Sequence, residues 1–171
     1  GQSTSGNVVY STNGISWTST GGEGYVWETI TYNSGDGYFY LNCIGASSLT
    51  ENGRCYRTTD PSNPLQQSRG RVVANNNFRI WHSATNGVSG HVLVAGYDQN
   101  SGNGAIWRSI DGGNSWTQTL SVPPVPGSNT DIYSIQWTGT QYIATGPDIS
   151  NVVTGNTWTS PDGATWTKVG T

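Results

Sequence analysis

Four short stretches that carry an aspartate or an asparagine recur along the sequence, and they are the first candidates for catalytic residues. They begin at Ser11, Thr58, Ser109 and Ser160, so their spacings are 47, 51 and 51 residues. The last three carry an aspartate two residues later, and the first carries Asn13 instead. Paired carboxylates hydrolyse glycosidic bonds when they lie about 5 to 9.5 Å apart. The even spacing, however, is typical of one unit repeated along the chain, and it predicts a repeat architecture.

Other acidic residues fall in predicted loops and strands, and no spacing singles out an acid and base pair among them. These candidates are Glu28, Glu51, Asp98, Asp131 and Asp148. Residues 98–102 have the first spacings of a calcium loop, but Ser109 stands where the acidic twelfth ligand is expected. His82 and His91 have no cysteine or carboxylate at ligand spacing. We therefore expect a plain turn at 98–102, no metal site and no cofactor.

Composition and charge exclude several partners. The net charge is −3 and Lys168 is the only lysine, so no basic stripe is available for nucleic acid. No apolar run approaches the roughly 20 residues of a membrane helix, so we expect no membrane insertion. Hydrophobic residues make up only 33%, but 8 Trp and 9 Tyr favour short strands joined by glycine turns over disorder. The lack of methionine indicates a processed or partial chain.

Alternating apolar and polar residues predict 14 strands and no helix. The strands group into a half unit and three antiparallel four-stranded units, with the repeated turn between the third and fourth strands. The predicted boundaries are 1–26, 27–77, 78–130 and 131–171. Units of this length with one internal order build β-propellers. The chain is therefore predicted to be all-β, with about three and a half blades of an incomplete ring.

The repeated turn, Ser-x-Asp-x-Gly-x-x-Trp, has a local physical reason. The carboxylate accepts backbone N–H bonds, the glycine takes a positive φ, and the tryptophan folds back over the hairpin. On these residues the chain resembles the Asp-box, or BNR, repeat family, which includes sialidases, endoglucanases, sortilin-type receptors, photosystem assembly factors and phage tail and bacterial surface proteins. The copy at Thr58 departs from the pattern, with Ser62 for glycine and Leu65 for tryptophan. The resemblance implies that the turn residues are structural: Ser11, Asn13, Trp17, Asp60, Ser109, Asp111, Gly113, Trp116, Ser160, Asp162, Gly163 and Trp166.

The face opposite these turns carries the loops that join strand two to strand three and blade to blade. Asn, Ser, Gly and Asp beside aromatic residues suit sugar hydroxyls and pyranose faces, although solvated loops share that composition. Phe78-Arg79-Ile80 resembles the sialidase segment whose arginine binds the sialic acid carboxylate, with Trp81 in place of proline. No matching motif supplies the other two arginines. The candidate ligand-binding residues are Arg79, Tyr97, Asp98, Asn100, Asn103, Trp107, Asp148 and Asn151.

The two cysteines, Cys43 and Cys55, lie on neighbouring predicted strands. They align with Val94 and Ile106 of the next unit, which indicates apolar, inward-facing positions. A disulfide worth about 3 kcal/mol and two buried free thiols are both compatible with this placement.

The expected function is that of a non-enzymatic propeller segment of an exported or virion-surface protein, such as a phage tail fibre, that recognises glycans or a cell-surface receptor. The repeated turns, the polar loops and the lack of an assignable catalytic set lead to this expectation. One alternative is a self-assembling structural subunit of a fibre, shell or filament. Another is a sialidase-like glycoside hydrolase fragment. Further chain or other copies would complete the ring, and the expected location is extracellular or on the virion surface.

Overall fold

The chain is built from β-strands. The computed structural model describes residues 6–20, 25–45, 53–72, 78–124, 130–147 and 155–169. Within these ranges 14 strands are present, each at a place where the sequence predicts one. Two of them, Arg54–Thr58 and Phe78–Ala84, have the predicted bounds. None of the described residues belongs to a helix of the length and apolarity needed to span a membrane.

The strands form one two-stranded and three four-stranded antiparallel sheets. The half-blade consists of β1 (Val9–Tyr10) and β2 (Thr18–Ser19). The first blade consists of β3 (Tyr25–Asn33), β4 (Tyr38–Gly45), β5 (Arg54–Thr58) and β6 (Gln67–Arg71). The second consists of β7 (Phe78–Ala84), β8 (Val92–Asp98), β9 (Asn103–Ser109) and β10 (Thr117–Val122). The third consists of β11 (Ser134–Trp137), β12 (Tyr142–Pro147), β13 (Gly155–Ser160) and β14 (Thr167–Val169).

The blades follow one another around an axis. Within each blade the strands are hydrogen-bonded in chain order. Between blades, β3 contacts β7 and β7 contacts β11, so the first strands lie nearest the axis and the fourth strands at the periphery. The sheets do not close into a ring. The architecture is therefore an incomplete β-propeller of four-stranded antiparallel blades.

The hydrophobic core lies between the blades rather than within any one of them. Residues Val92 to Ala95 of β8 are all fully buried because both faces of the second blade are covered, which explains their unbroken apolar run. The cluster between the second and third blades contains Ala84, Leu93, Ala95, Ile106, Ile132, Ile135, Tyr142, Ala144 and Trp158. A cluster between the first and second blades contains Val72, Phe78, Ile80, Val94 and Ala105. Each blade is thus stabilised mainly by its neighbours.

The two cysteines are buried free thiols. Cys43 packs with Val8 and Leu41 on the side of the half-blade, whereas Cys55 packs with Val92 on the side of the second blade. They occupy opposite faces of one sheet, so the disulfide allowed by the sequence is not formed. Burial raises the pKa of the Cys55 thiol, which keeps it protonated and unreactive.

The four repeated stretches, 11–17, 58–65, 109–116 and 160–166, are the repeat turns, and each joins the last two strands of its sheet. In turn 109–116, Asp111 Oδ1 accepts the backbone N–H groups of Asn114 at 3.0 Å and Ser115 at 2.9 Å. Ser109 Oγ accepts the N–H of Gly113 at 2.8 Å. The side chains therefore satisfy the backbone donors of the hairpin locally.

The other three copies preserve this pattern to different degrees. Asp162 Oδ1 accepts the N–H of Ala164 at 2.8 Å, and Asn13 Oδ1 accepts the N–H groups of the two corresponding residues at 2.9 Å each. In turn 58–65, Asp60 Oδ1 accepts the N–H of Ser62 at 2.9 Å. Gln66 Oε1 takes a further N–H, that of Thr59, at 3.0 Å. An outside side chain thus contributes to the turn whose own sequence departs most from the pattern.

The repeat turns also attach each blade to the preceding one. Gly113 O accepts the N–H of Gly70 on β6 at 2.7 Å, and the neighbouring Gly112 O accepts the Nε–H of Arg69 at 3.0 Å. Trp166 Nε1 donates to Thr119 Oγ1 on β10 at 3.2 Å. Trp17, the corresponding tryptophan of the half-blade, packs on no blade among the residues described and is 63% exposed. The turns are therefore contacts between blades as well as hairpin closures.

Replacement of Asp162 tests the charge of the turn. The N–H groups of Ala164 and Thr165 lower the pKa of Asp162, so the stabilisation from its ionised form is present above the unfolded value and lost as pH falls below about 4. Asp162→Asn should reduce this pH dependence, because an amide oxygen accepts the same N–H groups, as Asn13 does. Asp162→Ala should cost about 1 kcal/mol at pH 7 and less at pH 3, where the wild type has itself lost part of this stabilisation. Urea unfolding at pH 7 and pH 3 measures both effects, and an identical pH dependence in wild type and Asp162→Asn would contradict them.

Two glycines with similar φ angles, at the same position of two repeat turns, test how much the packing of a turn against its neighbouring blade contributes to stability. Gly14 has φ 71° and Gly163 has φ 77°. A Cβ at Gly14 would meet nothing within 4 Å, whereas one at Gly163 would lie 2.6 Å from Leu93 Cδ2. Gly14→Ala should cost about 1 kcal/mol for the positive φ alone. Gly163→Ala should cost about 1–3 kcal/mol more, because the buried leucine must shift. Equal losses of unfolding free energy in the two variants would show that the packing of the turn against Leu93 contributes nothing to stability.

Candidate functional site

A cleft of about 220 Å³ opens near the axis, at the end of the sheets opposite the repeat turns. We call it the axial cleft, and its lining residues are Arg79, Trp81, Tyr97, Gln99 and Asp131. Arg79 lies near the start of β7, Tyr97 near the end of β8, and Asp131 shortly before β11. These are the places where blade-to-blade and second-to-third-strand connections meet, which is the face that the sequence predicted for a ligand.

Two features of the second blade position the cleft side chains. Arg79 and Tyr97 are directly paired across β7 and β8, so their side chains leave the same face of the sheet. The register then shifts between Ile80 and His82, which makes Trp81 the extra residue of a β-bulge. A β-bulge changes the direction of a side chain, which no longer follows the regular alternation between the two faces of the sheet. The Trp81 ring consequently lies 6.4 Å from the ring of Tyr133, centroid to centroid.

Asp131 is held by a rigid segment. Its neighbours Thr130 and Ile132 are 2% and 1% exposed. Thr130 Oγ1 donates to Val122 O at 2.9 Å and accepts the N–H of Gly104 at 3.1 Å. A Cβ on Gly104 would lie 1.9 Å from Thr130 O, so only glycine permits this approach. The carboxylate of Asp131 is therefore carried by backbone that is fixed on both sides.

The cleft contains polar atoms without partners. Asp131 Oδ1, an acceptor, and Trp81 Nε1, a donor, are both buried and unpaired within the part of the chain that the structure describes. Leaving such a group unpaired costs about 1–3 kcal/mol. Tyr133 is 52% exposed, and burial followed by the charge of Asp131 raises its pKa, so its hydroxyl stays protonated. The region thus offers both hydrogen-bond donors and an acceptor beside aromatic rings.

Glu28 occupies the same bulge position in the first blade as Trp81 in the second, because the register of β3 shifts between Trp27 and Thr29. Burial raises the pKa of Glu28, and the charge of Arg79 lowers it. Glu28 lines a separate groove of about 220 Å³ with Trp27, Val8, Ile30 and Leu41. Glu28 therefore lines a different hollow from Asp131, within reach of the charge of Arg79.

Of the predicted ligand residues, Arg79 and Tyr97 line the axial cleft. Asp98 closes its own loop instead: its Oδ1 accepts the N–H of Asn100 at 2.9 Å and its Oδ2 accepts the hydroxyl of Ser101 at 2.9 Å. This bonding is that of a turn, and no group of three or more potential metal ligands is found among the residues described. Asp148 and Asn151 lie outside those residues.

Two further candidates stabilise the second blade. Asn103 Nδ2 donates to Ser121 Oγ on β10 at 2.9 Å. Trp107 packs against Phe78, with 6.1 Å between ring centroids, in the cluster shared with the first blade. Trp107 is partly buried against this cluster, so it packs between the blades and does not line the axial cleft.

Two other arginines, Arg57 and Arg69, are bonded away from the axial cleft. Arg57 Nε donates to Gln67 at 2.7 Å, and its guanidinium lies 4.2 Å from the centre of the Tyr38 ring. Arg69 binds a repeat turn of the second blade. Neither joins Arg79 at the cleft. A three-arginine carboxylate clamp is not assembled by these residues.

Sequence reasoning missed Trp81, Gln99 and Tyr133 as cleft residues. From the sequence, Trp81 is named only because it replaces a proline in the sialidase-like segment. The signal that could have identified it is the β-bulge, since Trp27-Glu28-Thr29 and Ile80-Trp81-His82 occupy equivalent positions of two blades. A bulge has no reliable signature in a single sequence, because it depends on how the neighbouring strand pairs.

Solved structures of other proteins show the same fold. A GH74 xyloglucanase from Xanthomonas campestris matches 95% of this chain with a TM-score of 0.55 at 16% identity. The structure of YCF48 bound to D1 peptide matches 84% with a TM-score of 0.51 at 14% identity. A GH74 enzyme from Niastella koreensis matches 92% with a TM-score of 0.45 at 14% identity. This chain spans 23%, 40% and 38% of their respective lengths.

Comparison with protein-family models and with curated proteins finds no match. The first two solved structures are β-propellers, and at such low identity the likeness concerns the fold alone. The chain is thus a segment of β-propeller, and its chemistry has to be argued from the cleft.

Proposed function

We propose that this propeller segment recognises glycans at the axial cleft and does not hydrolyse them. The observation that carries the proposal is the grouping of three aromatic rings, Trp81, Tyr97 and Tyr133, beside the polar side chains of Arg79 and Asp131. Aromatic faces pack against the C–H faces of sugar rings, while the polar groups fix the hydroxyls. The same segment would belong to an exported or virion-surface protein.

The size and bonding state of the cleft support this ligand class. Its volume of about 220 Å³ is below the roughly 300–1,000 Å³ of pockets for drug-sized molecules, which suits one or two rings of a longer glycan. Sugar hydroxyls both donate and accept, so one ligand can pair with the acceptor Asp131 and the donor Trp81.

Two observations argue against hydrolysis. A glycosidase needs two carboxylates flanking one bond, and here Asp131 and Glu28 line different hollows. Asp98, a third candidate, uses its oxygens within its own turn. The proposal therefore assigns Asp131 to binding through its acceptor oxygen rather than to proton transfer.

Two tyrosines of equal exposure provide a matched test of the cleft. Tyr133 is 52% exposed beside Trp81, and Tyr32 is 53% exposed on β3. On a glycan array and then in titration with the best glycan, Tyr133→Ala should weaken binding about tenfold, equivalent to about 1.4 kcal/mol, because a stacking ring is lost. Trp81→Ala should weaken it at least as much. Tyr32→Ala should leave the affinity within twofold.

Equal losses for Tyr133→Ala and Tyr32→Ala would locate the binding elsewhere. Silence of the intact protein across bacterial and host glycans would remove the proposal. Turnover of the bound glycan, abolished by Asp131→Asn, would instead favour the glycosidase alternative.

A second proposal concerns assembly, and it rests on the exposed half-blade. Ile15 and Trp17 of its repeat turn are 84% and 63% exposed, whereas Trp166 bonds to the preceding blade. The third blade has a corresponding face, on which Ile143 and Thr159 are only partly buried by the residues described. We propose that the turn of one copy seats on the third blade of a second copy, which is a head-to-tail contact able to form rings or filaments.

Surface substitutions test this contact. The protein should self-associate in light scattering, and Ile15→Ser with Trp17→Ser should return it to a monomer, because the seated apolar side chains are lost. Val88→Ser removes another exposed apolar side chain, 49% exposed in the turn between β7 and β8 of the second blade, and should leave association unchanged. A wild-type protein that stays monomeric at high concentration would rule the contact out, with no consequence for glycan binding.

A further inference from the structure

A hollow of about 300 Å³ lies at the periphery between the second and third blades. We call it the peripheral hollow. Its walls include Arg108, Ser115, Thr117, Gln118 and Thr119 from the second blade and Ala164 from the third. It is formed beside two repeat turns, at the opposite end of the blades from the axial cleft. No residue of the peripheral hollow takes part in the glycan or assembly proposals.

Arg108 brings a positive charge to this hollow, and its Nε is buried without a hydrogen-bond partner. The nearest carboxylates are engaged by their own turns. Asp162 Oδ1 accepts the N–H groups of Ala164 and Thr165, and Asp111 Oδ2 accepts the hydroxyl of Ser115 at 2.6 Å. A guanidinium that is partly withdrawn from water needs acceptors, and these side chains supply none to its Nε.

The charge of Arg108 contributes to lowering the pKa of Asp162, so this carboxylate balances part of that charge, and two further groups near Arg108 are neutral. Burial, followed by the charge of Arg108, lowers the pKa of His91, so this imidazole is neutral at pH 7. Burial raises the pKa of the Tyr142 phenol, which the charge of Arg108 partly offsets, so this hydroxyl is neutral too. His91 Nδ1 is also buried without a partner among the residues described. An unpaired nitrogen of a neutral ring thus lies near the unpaired Nε of Arg108.

The lining suits an oxyanion. Thr117 is paired with Arg108 across the two strands, so both side chains leave the same face. The register shifts between Gln118 and Leu120, which makes Thr119 the extra residue of a bulge at the hollow. The hydroxyl of Thr117 therefore stands on the same face as the guanidinium, whose planar fork matches the oxygen pairs of carboxylate, sulfate and phosphate groups.

We propose that the peripheral hollow is an oxyanion-binding site, in which Arg108 holds a carboxylate, sulfate or phosphate group and the hydroxyl of Thr117 donates a further hydrogen bond. The anion supplies the acceptors that Arg108 lacks. Because it would lie between Arg108 and the turn that contains Ala164, the anion would also strengthen the junction of the second and third blades.

The indole of Trp166 provides a reporter for this site. Its Nε1–H donates to Thr119 Oγ1 in the wall of the hollow at 3.2 Å, so its NMR resonance should respond to an anion bound there. The indole of Trp27 lines the groove beside the half-blade and serves as a remote control in the same molecule. The intact protein is titrated with sodium sulfate, sodium phosphate or sodium acetate against sodium chloride at equal ionic strength.

We expect a saturable shift of the Trp166 indole resonance at millimolar anion, with the Trp27 resonance unchanged. The preferred anion identifies which of the three groups the site takes. Arg108→Gln should weaken binding at least tenfold, whereas Lys168→Gln, which removes one positive charge from exposed β14, should leave it within twofold.

Several results would overturn the site. A shift that grows linearly and equally for all salts would indicate general screening, and no shift at all would indicate that water fills the hollow. Both outcomes are read from the wild-type protein, so they do not depend on the folding of Arg108→Gln. If that variant is folded by circular dichroism and binds as wild type, Arg108 is not the anion's partner. None of these results bears on glycan recognition at the axial cleft.

Discussion

The structure depends on the contact that each repeat turn makes with the preceding blade. Hydrogen bonds join strands within a blade, but consecutive sheets share no ladder and are held by side-chain packing and by these turns. This contact requires a turn whose backbone N–H groups are satisfied by its own side chains, as those of Asn114 and Ser115 are by Asp111. It also requires a glycine where the turn meets its neighbour, as Gly163 meets Leu93. Loss of either would separate blades as well as open a hairpin.

This arrangement explains how a chain with 33% hydrophobic residues forms a core. Apolar side chains are concentrated where two blades face each other, so Leu93 and Ile106 on one face and Val94 on the other are all fully buried. Polar residues complete the turns, where hydroxyl and amide groups satisfy the backbone. The half-blade shows the opposite case, because no part of the chain that the structure describes covers Ile15 and Trp17, which remain exposed.

The fold was largely predictable because its signals are local and repeated. Strand alternation and the spacing of turns at 11, 58, 109 and 160 predict all 14 described strands and their order. The candidate site was predicted less well. Arg79 and Tyr97 line the cleft, but Trp107 packs into a core cluster and Asp98 closes its own turn. Loop composition cannot distinguish these outcomes, because they depend on which sheet face a side chain leaves and on which blade covers that face.

The inner strands show why function varies while the fold repeats. Two of them carry a β-bulge at the equivalent point, occupied by Glu28 in the first blade and Trp81 in the second. A bulge residue is released from the alternation that the interblade core imposes on its neighbours. Its identity can therefore differ between blades, charged in one and aromatic in the next, whereas a residue such as Gly163 meets Leu93 so closely that a side chain there would displace it. Substitutions at such positions alter the chemistry near the axis, and the conserved period elsewhere keeps the blades in register.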